Sequence, residues 1–203
     1  MILLFVLMPL TVLGQNEKVS RYGVDSSFTV PKGLAVGDTA PTFTTTDVNG
    51  KGISLNQLKE KGPVVILFYR GQWCPVCSRY LSNLNDSIQL LIDREATVIA
   101  VGPETVENAQ RMKESTGSDF SFIADTSLEI HRSYDVLFYV TKKYQMKIKK
   151  YLRTDIAENN GGDTAMLPVP ATFVIDMAGK IVFKQFDYNY KNRASVQHIL
   201  NHL

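Results

Sequence analysis

The chain has 203 residues, 22 Lys and Arg against 20 Asp and Glu, 44% hydrophobic residues and two cysteines. That length fits one domain with an appendage, and a net charge of +2 gives no electrostatic case for nucleic acid. The apolar content excludes a disordered chain, two cysteines exclude a disulfide-stapled scaffold, and the lack of repeats excludes a solenoid.

Ile2–Leu13 is almost unbroken apolar sequence. It is shorter than the roughly 20 residues a spanning helix needs, and it has the length of a signal-peptide hydrophobic region. Gly14 sits where cleavage would fall, although no Lys or Arg precedes the run. Residues 1–14 are therefore expected to direct export to the periplasm or another extracytoplasmic compartment. A buried N-terminal element in a cytoplasmic protein is the alternative. Residues 15–33 are polar, carry Gly23, Pro31 and Gly33, and read as a linker or loosely attached arm before a domain over 34–203.

Within that domain, Pro41–Thr46 predicts a short strand, and Asn49-Gly50 a hairpin turn leading to Ile53. Ser54 is placed to cap a short helix over Leu55–Lys61. Val64–Tyr69 has no charged or amide side chain and opens on β-branched residues, which predicts a strand buried on both faces. From Cys74 to Arg94, Val76, Tyr80, Leu81, Leu84, Ile88, Leu91 and Ile92 recur at helical spacing. Ala96–Val101 predicts a second buried strand. Pro103 then opens a helix with Glu104 and Glu107 in its first turns, where negative charge suits the dipole. Phe120–Ala124 predicts a third strand, Ser127–Ser133 a short helix, Ala171–Asp176 and Lys180–Phe186 a hairpin, and Arg193–Leu203 a closing helix. Strands alternating with helices and ending in a hairpin predict an α/β sandwich with a mixed central sheet.

Residues 138–167 interrupt the alternation. Val140, Tyr144, Ile148, Tyr151 and Leu152 make one stripe of a helix, and Lys142, Lys143, Lys147, Lys149, Lys150 and Arg153 cover much of the rest. A solvated helix face is the expectation; contact with acidic lipid or an acidic partner is the alternative.

Both cysteines lie in Trp73-Cys74-Pro75-Val76-Cys77, between a buried strand and a long helix. Three residues apart on a helix, they share a face and are close enough to bridge. At a helix N-terminus the amide groups and dipole favour an anion, so Cys74 is expected to be the exposed, ionised nucleophile. Pro75 suits the first helical position, and Arg70 and Arg79 add positive potential. A structural zinc site would need four ligands, and His131, His198 and His202 lie far along the chain. An inert disulfide would close a very small loop. No nucleotide-binding glycine motif is present, so no cofactor is expected. Pro168-Val169-Pro170 precedes a late strand, where a proline is a candidate for the cis form.

These residues carry a resemblance. Phe68–Cys77 resembles the active-site segment of peroxiredoxin-like proteins of the thioredoxin superfamily, grouped with alkyl hydroperoxide reductase and thiol-specific antioxidant proteins. Gly37–Phe43, Phe120–Asp125, Tyr134–Val136, Leu167–Asp176, Phe186–Tyr190 and Asn192–Ala194 are similar to further segments of that family, over 34–203. The resemblance implies a thioredoxin-like sandwich. Typical members keep a Pro, a Thr or Ser, the peroxidatic Cys and an Arg around the peroxide. Aligned on Cys77, the Thr position is Cys74 and the Pro position is Arg70; aligned through the strand ending at Asp176, the Arg position holds Pro170. The buried acid that thioredoxins carry before the dithiol falls at Leu67.

Three functions follow as expectations. The first is thiol–disulfide exchange. Cys74 attacks a disulfide and Cys77 resolves it, with Trp73 as a contact surface, Val169 offering backbone hydrogen bonds and Pro170 fixing the turn. The second is peroxide reduction, reset by an external thiol donor of the thioredoxin type. The third is a non-catalytic, partner-binding module whose bridge is structural.

Overall fold

The structure, a computed structural model, describes residues 19–203. The expected export segment lies outside the described residues. Among the described residues no helix is long and apolar enough to cross a membrane.

The core is a five-stranded mixed sheet of order β5-β4-β3-β8-β9. β3 (Val64–Phe68), β4 (Thr97–Gly102) and β5 (Ser121–Ala124) run parallel; β8 (Ala171–Ile175) and β9 (Ile181–Phe186) are antiparallel to their neighbours. The polar-free run of β3 takes the central place because both its faces meet apolar layers. Val65 and Leu67 join one core cluster with Leu81, Met112 and both cysteines; Val64, Ile66 and Phe68 join the other with Ile99, Tyr134 and Phe173. The hairpin predicted at Asn49-Gly50 is β1 (Thr44–Thr46) against β2 (Gly52–Ser54), followed by α1 (Leu55–Lys59). Ser54 sits at the N-cap of α1, yet its side chain makes no cap bond.

The long helix expected from Cys74 to Arg94 is two: α2 (Pro75–Asn85) and α3 (Ile88–Ile92). The chain leaves helical geometry at Ser87 (φ −116°, ψ 12°), where Asp86 and Ser87, both poor helix formers, follow one another. Ile92 consequently turns outward. After β4, Thr105 caps α4 (Val106–Thr116) by accepting from the Asn108 amide, so Glu104 precedes the helix instead of sitting in its first turn. α5 (Glu129–Ser133) and α8 (Val196–Leu200) are shorter than the sequence suggests.

The interruption at 138–167 is framed by a two-stranded antiparallel sheet, β6 (Leu137–Tyr139) against β7 (Met166–Pro168). Between them lie α6 (Lys142–Leu152) and α7 (Ile156–Asn159). Tyr144 and Ile148 of the α6 stripe are buried, whereas Tyr151 and Leu152 face outward. Val24, inside the segment expected to be a loose arm, pairs with Val140 and is buried, and Tyr22 packs edge-on against Tyr190. Residues 19–33 are thus held against the domain, because Val19, Val24 and Val30 have apolar partners there.

Candidate functional site

The carboxyl ends of parallel strands open onto the crevice of an α/β sheet, and β3 ends here at the dithiol. Gly71 (φ 139°) and Gln72 turn the chain, Cys74 takes the N-cap of α2, and Pro75 is its first residue. The Cys74 carbonyl accepts from the amides of Cys77 and Ser78, which brings both sulfurs to one face, 2.6 Å apart.

Their charge state differs from the sequence expectation. At that separation the pair holds one proton, because two adjacent thiolates repel. Burial opposes charge on Cys77, but the Cys74 S–H donates to it, and the guanidinium groups of Arg193 and Arg70 outweigh the burial. Its pKa falls to about 5. Arg193 Nη2 donates to Cys77 Sγ at 3.3 Å. Cys74 goes the other way: the hydrogen bond it donates to Cys77, then burial, push its thiol well above its ordinary value. Both sulfurs are also buried, Cys74 at 2% exposure and Cys77 at 0%. The exposed, ionised Cys74 is therefore corrected. The helix terminus favours an anion there, but two cations and a donated hydrogen bond favour it more on the neighbouring sulfur.

Arg70 is buried, and it does supply positive potential. Its Nη2 donates to the Tyr144 hydroxyl at 2.9 Å, and its guanidinium lies 4.2 Å from the Tyr190 ring centroid, 4.9 Å from that of Trp73 and 5.5 Å from that of Tyr144. Such an aromatic cage, together with the dithiol charge, is what keeps a desolvated cation in place. Arg79 is exposed and is not among the charges acting on either sulfur.

Cys74 lines a largely apolar cavity of about 220 Å³ with Arg70, Trp73, Pro75 and Val76 on one side and Tyr144, Lys147, Ile148, Tyr151, Leu152 and Tyr190 on the other. The basic helix α6 is the roof of that cavity. Trp73, expected as an outer contact surface, is an inner wall with little exposure.

Val169 and Pro170 do not match their expected roles. The Val169 amide donates to the Val136 carbonyl at 2.7 Å and its side chain is buried, so this N–H is spent inside the fold. Among the described residues no peptide bond is cis, so Val169–Pro170 is trans.

The acid missing at Leu67 has a counterpart on the next strand. Glu104, two residues past the end of β4, is fully buried. Its Oε2 accepts from the Gln72 amide at 2.7 Å and from Asn159 Nδ2 at 3.4 Å. Its Oε1 and the neighbouring Tyr69 hydroxyl are both buried without a hydrogen-bond partner. Burial raises its pKa to about 7; the bonds from Gln72 and Asn159 and the nearby Tyr69 hydroxyl hold it down, and the Cys77 charge adds to the rise. In the sequence Glu104 reads as a helix-start acid. Only the proximity of β3 and β4 reveals its place behind the dithiol.

A family model described as the AhpC/TSA family matches residues 36–184. A Mycobacterium tuberculosis protein assigned to the peroxiredoxins is 25% identical over 154 residues, 76% of this chain and 86% of its own. The thiol-disulfide oxidoreductase ResA of Bacillus subtilis is 26% identical over 156 residues, 76% of this chain and 69% of its own. Among solved structures, PrxQ of Xylella fastidiosa superposes with a TM-score of 0.63 at 16% identity, covering 84% of this chain and 95% of its own. Peroxidoxin BcpB of Mycobacterium tuberculosis gives 0.61 at 20% identity, covering 75% and 86%. At these identities the structural matches speak for a thioredoxin-like fold alone.

Proposed function

The chain belongs to the AhpC/TSA family and is a thioredoxin-fold oxidoreductase, and on that premise we propose that its Cys74–Cys77 dithiol reduces small hydroperoxides. The observation that carries this reading is access. Cys74 opens onto a cavity of about 220 Å³, below the roughly 300–1,000 Å³ of drug-sized pockets, and a folded protein disulfide does not enter such a space.

At rest the negative charge lies on Cys77; when a peroxide enters the cavity beside Arg70, the proton crosses the 2.6 Å gap from Cys74 to Cys77 and leaves Cys74 as the attacking thiolate. Cys74 attacks one peroxide oxygen and the O–O bond breaks. The leaving alkoxide takes a proton from solvent and departs as the alcohol, and Cys74 is oxidised to the sulfenic acid. Cys77 then passes its proton to Glu104 and attacks the Cys74 sulfur. Hydroxide leaves, recovers that proton and departs as water, and the pair is bridged. An external thiol donor of the thioredoxin type returns the dithiol by exchange.

Stopped-flow consumption of hydrogen peroxide by the reduced protein tests this. The expected result is fast loss in the native protein. In Cys77→Ser a sulfenic acid should be trapped on Cys74, and Cys74→Ser should lose the fast phase. Rates no higher than those of a free thiol at the same pH would refute the proposal. The Cys-Pro-Val-Cys spacing at a helix start favours a second reading, thiol–disulfide exchange. A mixed disulfide trapped on Cys74 in Cys77→Ser, with slow peroxide loss, would select it.

A further inference from the structure

The cavity at Cys74 has a neighbour. A second cavity, of about 230 Å³, is lined by Arg21, Tyr22, Tyr144, Lys147, Asn189, Tyr190 and Lys191. The two share Tyr144, Lys147 and Tyr190, so they adjoin along one wall. Their chemistry differs. The inner cavity is mostly aromatic and aliphatic and ends at sulfur. The outer one carries three cationic side chains, and among the described residues no acidic one lines either. Among the described residues, Arg21, Lys147 and Lys191 take part in none of the ion pairs; Lys147 meets only the Tyr144 ring face, 6.0 Å from its centroid. The three cations come from separate stretches: the N-terminal arm, α6 and the segment before α8. The pairing of Val24 with Val140 and the packing of Tyr22 on Tyr190 hold the first of these in place. Like charges gathered without a counter-ion repel one another, and a ligand anion relieves that repulsion.

We propose that the outer cavity is a carboxylate subsite, and that the preferred oxidant is a short-chain organic hydroperoxide bearing a carboxylate. The carboxylate sits among Arg21, Lys147 and Lys191, the carbon chain runs past Tyr144 and Tyr190, and the peroxide meets Cys74. The charged group thus fixes the end that reacts. This substrate class rests on the peroxide reading above; the subsite itself does not.

Trp73 is the only tryptophan of the chain and lines the inner cavity, so its fluorescence reports occupancy. Titration of the full-length protein with octanoate and with methyl octanoate separates charge from apolar contact, with neither ligand able to oxidise the thiols. Octanoate is expected to bind about tenfold more tightly than the ester, the combined worth of two or three partly exposed ion pairs. That preference is expected to shrink with added salt and in Arg21→Gln and Lys191→Gln, both at exposed positions. Equal binding of acid and ester, or no fluorescence response to either, would overturn the subsite. The same comparison with a carboxylate-bearing hydroperoxide and its methyl ester, read as a ratio of thiol oxidation rates, tests the substrate class. A ratio near one with octanoate preference intact overturns the substrate class and leaves the subsite. Free-thiol rates for both hydroperoxides, with octanoate still bound, overturn the peroxide reading alone.

Discussion

Replacing Glu104 by Gln keeps the shape of the side chain and an acceptor oxygen for the Gln72 amide, and removes only the charge. The carboxyl is raised from 4.5 to about 7, chiefly by burial. At about 1.36 kcal/mol for each step of pKa, ionising it inside the fold costs about 3 kcal/mol. A raised carboxyl pKa makes the folded chain the tighter proton binder. Its contribution is therefore intact below about 4.5 and is lost as pH rises through about 7. Guanidinium unfolding of the reduced native and Glu104→Gln proteins, from pH 4.5 to 8, isolates this group from the others titrating in that window, since those are common to both. The variant is expected to gain about 3 kcal/mol on the native protein across the range. The same comparison on the bridged protein should give a smaller gain, because the Cys77 charge that helps raise the carboxyl is then gone. A stability difference that does not change with pH would show that Glu104 is already neutral or already solvated, and would remove it as the acceptor of the Cys77 proton.

Two further outcomes are expected. Arg193→Met removes the donor 3.3 Å from the Cys77 sulfur, and hydrogen bonds to charged groups are worth about 1.5–3 kcal/mol. The pair's first ionisation, followed by ultraviolet thiolate absorbance, should rise by about one to two pKa units; no rise would mean that Arg193 does not hold the anion. Gly102→Ala places a methyl group against the Tyr69 ring, closer than a carbon contact allows. Chemical denaturation should show a loss of about 1–3 kcal/mol, and an unchanged midpoint would contradict the close packing beneath the dithiol.

What the sequence disclosed was local. The polar-free run Val64–Phe68 announced a central strand. The cysteine pair beside Pro75 announced a helix start, and the late hairpin announced a mixed sheet. What it concealed was long-range. Arg193 reaches a sulfur 116 positions earlier, Tyr144 meets Arg70 across 74, and Glu104 meets Gln72 across 32. No periodicity records such pairs; they exist only once β3, β4 and the helical excursion have been assembled. A helix terminus is visible in sequence and points the anion to Cys74, whereas the competing guanidinium groups are not visible there. The stripe of α6 was legible, but its split into a packed half and an outward half that roofs Cys74 depends on what lies beneath it.

The ribbon formed by β6 and β7 sets Tyr139 opposite Met166. A chain that departs and returns at adjacent rungs is topologically a detachable cassette. Everything between those rungs can be exchanged for a tight turn without re-threading the main sheet, since neither β6 nor β7 belongs to it. The two sulfurs ride on one part of the scaffold and their covering on another, so divergence in the cover can reshape the cavity over Cys74 without moving the sulfurs, provided that it keeps the partners it lends to Arg70 and Glu104, namely Tyr144 and Asn159.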